Sequence, residues 1–249
     1  MQSLISLLND GVLFPFLLLF ARIVSFVAFM PVFAHKTVPG KIRITFAFFL
    51  TVFLFPLIDV QNPISQEMFL EGLISEITLG LIASFLVSII FSAVTIIGDL
   101  VGYATALSMA NMFDPASGTQ QGVVSRFLYI IALAMFFETG MYEVTLVILA
   151  QSFDMIHLGT FNIFSYDGIH LAIDEIQRMF AFAFSFAFPL FFIGFILDVY
   201  YGYGTKSMPA FSPFVITFQL KFALIFLFMM FGMQIFAENF REYFIGKFS

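Results

Sequence analysis

Apolar residues run along this chain in six long blocks, roughly 11–34, 42–58, 73–97, 127–149, 179–203 and 214–237, joined by shorter polar connections. Such blocks predict helices that cross a bilayer, for which about 20 residues are needed at 1.5 Å each. Five blocks are long enough. The second would reach only about 25 Å as a helix, so it tilts, thins the bilayer locally or does not span. Between the third and fourth blocks lies SMANMFDPASGTQQG, residues 108–122, a polar interruption at the middle of the chain.

Within the third block Gly72, Glu76, Gly80, Ser84, Ser88 and Ser92 recur every four positions, and Gly98, Gly102, Ala106 and Ala110 continue the spacing. That period places a small, polar ridge on one side of a helix. Small residues at this spacing let helix backbones approach closely where lipid supplies no hydrophobic push. The ridge is ordinary helix–helix packing, or it faces a pore or a partner subunit. In MFAFAFSFAFP (179–189) phenylalanine alternates with Ala or Ser. Period two taken literally means a strand, but no other block alternates and all exceed the ~10 residues of a membrane-barrel strand. On a helix the pattern puts Phe180, Phe184 and Phe188 on one face, Phe182 and Phe186 nearly opposite, and Ala181, Ser185, Ala183 and Ala187 between. A helix with knobs and grooves all round suits a position surrounded by protein, and Pro189 is expected to break or kink it.

Composition fixes the class. The chain is 61% hydrophobic and 10% charged, against about 25% charged for soluble domains, and its mean hydropathy is +1.04. The expected fold class is an all-α membrane protein of about six hydrophobic helices. No Cys is present, which excludes disulfides and thiolate metal sites, and the absence of Trp leaves Tyr and Phe as interfacial anchors. A net charge of −6 argues against nucleic acid, which requires a basic patch. MQSLISLLND has no basic residue ahead of the first apolar block, so no cleavable signal peptide is expected and that block is retained.

Charge along the connections sets an expected topology. Lys36, Lys41 and Arg43 lie in 35–43, Arg126 in 98–126 and Lys206 in 204–213, whereas 59–72 and 150–175 carry acids without a base. The positive-inside rule puts the three basic connections in the cytoplasm. The C-terminal tail, with Arg241 and Lys247, then falls outside, a misfit with simple threading. KTVPGKIRITFAFF (36–49) and KSMPAFSPFVITFQLKF (206–222) echo one another, as duplicated hairpins or as coincidence in a chain rich in Phe and Ile.

Arg22, Glu76, Glu138, Glu143, Asp198 and Lys221 interrupt the apolar blocks. Each would cost about 2.5–3.5 kcal/mol facing lipid. Pairing Arg22 or Lys221 with one of the acids is the cheapest arrangement; an ion path and contacts to other subunits are the alternatives. No HExxH, CxxC, GxSxG or Walker loop occurs, and His35, His157 and His170 are too scattered to suggest a metal site. No catalytic residue, metal ligand or cofactor is therefore expected, and the chain is read as a non-enzyme.

The order of features resembles the FliR family, flagellar members of the type III secretion export-gate proteins. The resemblance rests on Arg22; Met30-Pro31-Val32-Phe33; Val38-Pro39 with Lys41 and Arg43; Pro56; Glu76 and Gly80; Gly98 and Gly102 ahead of Asn111-Met112-Phe113-Asp114-Pro115-Ala116-Ser117-Gly118; Gln151-Ser152-Phe153; Phe188-Pro189; and Pro209-x-x-x-Pro213 with Lys221. It covers nearly the whole chain, and the Phe-Asp-Pro loop after a Gly-x-x-x-Gly helix is its most specific part. The chain departs from the family at Pro209-Ala210-Phe211, where members carry an Asn after the proline. The resemblance implies one membrane domain, 1–249, divided into N-terminal hairpins (1–105), a plug loop (106–126) and C-terminal hairpins (127–249). The hairpins would be bent and wound into a spiral assembly with five FliP-type and four FliQ-type subunits. It also implies other export-apparatus membrane proteins and unfolded protein cargo as partners, contact with membrane lipid and none with nucleic acid, and a place in the bacterial inner membrane at the flagellar basal body.

The central loop then acquires a role. Irregular backbone at membrane depth is tolerated only where protein buries it or it lines a water-filled cavity. Ser, Thr, Asn and Gln there can satisfy their own backbone through local turns, Gly118 and Gly122 allow reversal, and Met109, Met112 and Phe113 supply soft apolar bulk. Met109, Asn111, Met112, Phe113, Asp114, Pro115, Ser117, Gly118 and Gly122 are accordingly the expected plug residues. Gly80, Gly98 and Gly102 are the expected packing or subunit-contact positions, and Arg22, Glu76 and Lys221 the expected buried charges. Two other readings are a stand-alone ion-coupled secondary transporter using Glu76, Asp198 and Lys221, and a membrane scaffold whose loop binds partners in the cytoplasm.

Overall fold

The computed structural model describes residues 10–34, 38–58, 66–105, 122–161, 168–207 and 213–248. Among these residues the regular structure is helical throughout: α1 (Asp10–Phe29), α2 (Pro31–Ala34), α3 (Gly40–Leu54) with a 3₁₀ turn at Phe55–Leu57, α4 (Gln66–Ala104), α5 (Val123–Glu138), α6 (Met141–Met155), α7 (Gly168–Ser207) and α8 (Pro213–Phe248). Among the described residues five helices are long and apolar enough to cross a membrane, or six if α5 and α6 are one broken span.

Several elements differ from the apolar blocks. The first block ends at Phe29, because Pro31 cannot extend the ladder and instead opens α2. The fourth block is two helices, broken where Gly140 takes φ +72°. Pro189 does not break its helix: α7 runs unbroken from 168 to 207. The proline leaves one backbone carbonyl, four residues back, without its helix donor, and the rest of the ladder carries the helix across it. The helices α4, α7 and α8 also extend past their apolar blocks into polar, charged flanks.

The chain forms two compact units that interleave in sequence: residues 1–89 with 142–175, and residues 90–141 with 176–249. Division at 106 and 127 follows chain order and differs from this grouping. The helices α4 and α7 contribute to both units.

In the first unit α3 lies against α1. Phe16 meets Phe48 and Phe55 edge-on, with centroids 6.1 and 5.5 Å apart, and Ala47 and Thr51 are fully buried. Arg43 closes the turn between them by donating to the Val38 carbonyl at 3.0 Å and the Ala28 carbonyl at 3.5 Å. The outer side of α3, with Ile44, Phe49 and Phe53, is exposed.

The second unit is built on aromatic rings. Phe91 touches Phe136 (5.7 Å) and Phe240 (6.1 Å), Phe136 touches Phe244 (5.7 Å), and Phe186 touches Phe236 (5.1 Å). Each such pair adds about 0.5–1.5 kcal/mol beyond its buried area. The alternating stretch of α7 resolves into two sides. Ala183 and Ala187 are fully buried, with Phe182 stacked on Tyr243 at 4.7 Å, while Phe180, Phe184 and Phe188 are exposed.

Candidate functional site

The four-residue ridge of α4 packs on α1, and the two helices run in the same direction. Gly72 lies under Leu18, Glu76 meets Arg22, Gly80 meets Ser25, and the Ser88 hydroxyl donates to the Phe29 carbonyl at 3.3 Å. A Cβ at Gly80 would stand 2.4 Å from the Arg22 carbonyl oxygen and 2.0 Å from Ser25 Oγ. No side chain fits, so the glycine sets the helix spacing. Along this stretch the ridge is packing within the chain.

At the centre of that contact the Arg22 guanidinium is saturated. Its Nε and Nη2 form a fork on the Glu76 carboxylate, the second arm at 3.0 Å. Nη1 donates to Ser152 O (3.1 Å) and Ser152 Oγ (3.3 Å), and Nη2 also donates to Ile156 O (3.1 Å). All five N–H groups that arginine owns are thereby used. The guanidinium also lies 4.3 Å from the centroid of the Phe153 ring. Glu76 is fully buried, Arg22 nearly so, and Glu76 Oε1 further accepts from the Gly159 N–H at 2.8 Å. Gly159 has φ +74°, a left-handed turn that favours glycine and brings its Cα close to Gly72. The Ser75 hydroxyl adds a bond to the Phe161 carbonyl at 2.6 Å. Three parts of the first unit are thus tied: α1, α4 and the turn after α6. Beside the knot lies an apolar cavity of about 450 Å³ lined by Leu79, Ile82, Leu86, Leu149 and Ile156.

Lys221 is paired differently. In the second unit its buried Nζ lies 2.8 and 2.7 Å from the two Asp198 oxygens, and Asp198 is 58% exposed. One turn earlier on α7, Gly194 makes a notch in which a Cβ would stand 3.2 Å from both Lys221 Cε and Ala104 Cβ. The end of α4 therefore sits against this pair, and the next residue, Thr105, is fully buried and donates to the Val101 and Gly102 carbonyls.

Gly98 packs against the first turn of α5. A Cβ there would lie 2.2 Å from Ser125 Cα and 2.6 Å from Ser125 N, so the two backbones touch. The buried Ser125 hydroxyl donates to the Asp99 carboxylate beside it. Gly102, by contrast, would meet nothing within 4 Å if it carried a Cβ, so no close helix contact among the described residues explains its size. Gly122 precedes α5 with φ −60° and ψ 151°, a conformation open to any residue, so the reversal expected of that glycine is not used there. Met109, Asn111, Met112, Phe113, Asp114, Pro115, Ser117 and Gly118 lie outside the described residues. Glu138 and Glu143 are exposed. Among the described residues no group of three or more His, Asp or Glu could hold a metal ion.

The reading of the sequence did not single out Ile156, Gly159, Gly194, Asp99 or Ser125 as partners. Ile156 enters through its carbonyl and Gly159 through its N–H, which no residue type advertises. Asp99 carried a signal: an acid directly after a glycine of the four-residue ridge.

Residues 13–246 match the family described as bacterial export proteins, family 1. The chain is 30% identical over 227 residues to flagellar biosynthetic protein FliR of Bacillus subtilis, covering 90% of this chain and 88% of that protein. It is 27% identical to the protein of that name from Aquifex aeolicus (87% and 84% covered) and 24% identical to that from Escherichia coli (80% and 76%).

Proposed function

Because the chain belongs to the FliR family of bacterial export proteins, we propose that it forms and plugs the channel of the flagellar protein-export gate. It is an inner-membrane component of the flagellar export apparatus and works with other membrane proteins of that apparatus. Its finer role is non-enzymatic: one copy joins five FliP-type and four FliQ-type subunits, and its loop 108–122 stoppers the conduit for unfolded flagellar proteins until cargo passes. The carrying observation is the polar interruption between two apolar helices, in a chain matched to the family over almost its full length. A segment of that composition needs protein or a water-filled cavity around it, and its methionines and phenylalanine suit a deformable seal.

Helix length supports a multi-subunit setting. The helices α4, α7 and α8 have 39, 40 and 36 residues, about 54–60 Å each at 1.5 Å per residue. The hydrocarbon layer is about 30 Å. Exposed apolar residues continue along α7 from Ile169 to Tyr203, farther than one lipid layer can cover, which favours neighbouring protein. The transporter reading fares worse. Glu76 is fully buried and locked to a saturated arginine, so it has no free position from which to hand on an ion.

Deletion of residues 110–118 tests the plug. Cells carrying the deletion, with the complex still recovered through a tag on this chain, are expected to leak small ions and solutes. A deletion strain that assembles the complex and stays sealed would overturn the plug.

A further inference from the structure

Both ends of the loop are held by residues of one unit, and the hold at its two roots is specific. On the α4 side the helix continues from Gly98 through Ala104 to the buried Thr105, with Ala104 seated against Gly194, beside which the Lys221 side chain also lies. On the α5 side Ser125 lies three residues after Gly122 and touches Gly98 backbone to backbone. The Asp99–Ser125 hydrogen bond closes that contact. An acid on a mainly apolar helix is costly, and here it has a partner at the first turn of the next helix.

We infer that Gly98, Asp99 and Ser125 form a clasp that positions the loop by keeping its two roots together. This rests on the loop's being the plug. With the roots joined, 16 residues that could reach about 55 Å from a single anchor, at about 3.5 Å per residue, are limited to about half that distance from the clasp. The entropy of closing the loop is met by the helix contact itself rather than by the loop residues.

The experiment uses spin labels on the complex recovered from membranes. Tyr103→Cys and Val123→Cys place labels at 67% and 56% exposed positions flanking the loop, in a chain that has no cysteine of its own, and the unsubstituted complex serves as the label blank. The expected result is a narrow distance distribution that lengthens and broadens in Asp99→Ala with Ser125→Ala. A hydrogen bond to a charged acceptor carries about a tenfold or greater bias toward the closed clasp. Asp99→Asn keeps an acceptor for the Ser125 hydroxyl and is expected to retain the narrow distribution. In cells the double alanine variant is expected to leak less than the 110–118 deletion but more than the parent, with unchanged recovery of partners. An unchanged distance distribution in the double variant overturns the clasp while leaving the plug standing. A changed distribution with a sealed membrane, in a strain where the deletion leaks, overturns its positioning role. A sealed deletion overturns the plug and this inference with it.

Discussion

Arg22 and Lys221 are both cations set in apolar helices, and each meets a carboxylate, yet the two pairs are built for different costs. Arg22 is nearly fully buried, every one of its donors is matched within the protein, and its acid is fully buried. Lys221 is buried as well but rests on a single carboxylate among the described residues, and that carboxylate, on the 58% exposed Asp198, can draw on solvent or on a partner. Burial depth, more than the presence of opposite charges, decides how completely a pair must be satisfied. The first pair is a fastening; the second is a local anchor for the end of α4.

The largest effect is expected from breaking the fastening on one side. Glu76→Ala leaves a buried guanidinium unpaired and frees the Gly159 N–H, a change that costs about 3–5 kcal/mol. The amount of chain accumulating in membranes, and the partners recovered with it, should fall sharply. Near-normal accumulation would mean that the pair is not the fastening described. Next comes the spacing of the same contact. Gly80→Ala drives a methyl against the Arg22 carbonyl and should cost about 1–3 kcal/mol, read as a lower midpoint for thermal aggregation in detergent. Gly102→Ala in the same helix, where a Cβ would meet nothing within 4 Å among the described residues, should be neutral or slightly stabilising, by up to about 1 kcal/mol. The smallest cost belongs to the exposed partner. Asp198→Asn takes the opposite charge from the buried Lys221 ammonium but keeps an oxygen to accept from it, and should cost about 0.5–1.5 kcal/mol, leaving accumulation close to that of the parent. If Asp198→Asn proved as damaging as Glu76→Ala, the contrast between the pairs would collapse.

Much of this was legible from residue spacing. The four-residue ridge of α4 carries Gly72, Glu76 and Gly80 to the α1 contact, and that contact is a consequence of helical period alone. The candidate pairing of Arg22 and Lys221 followed from the cost of charge in apolar surroundings, although which acid each would choose did not. Helix ends were poorly legible for a physical reason. Hydropathy marks the part of a helix that sits among apolar neighbours, whereas the first turns of α7 carry Asp174, Glu175, Gln177 and Arg178 and read as connection. The break at Thr139-Gly140 was hidden in the opposite way, since both flanks are apolar and only Gly140 marks it. The partners of Arg22 beyond Glu76 are mostly backbone carbonyls more than a hundred residues away, and no local pattern reports them.

The Arg22 fastening also dictates an order of events at the ribosome. The arginine is made 54 residues before Glu76 and 130 before Ser152. At about 5–20 residues per second its carboxylate follows some 3–10 s later, so the first helix must enter the membrane with its cation still solvated or sheltered by the insertion machinery. Truncations that stop before the third apolar helix should therefore be poor substrates for stable insertion, however hydrophobic their opening segment.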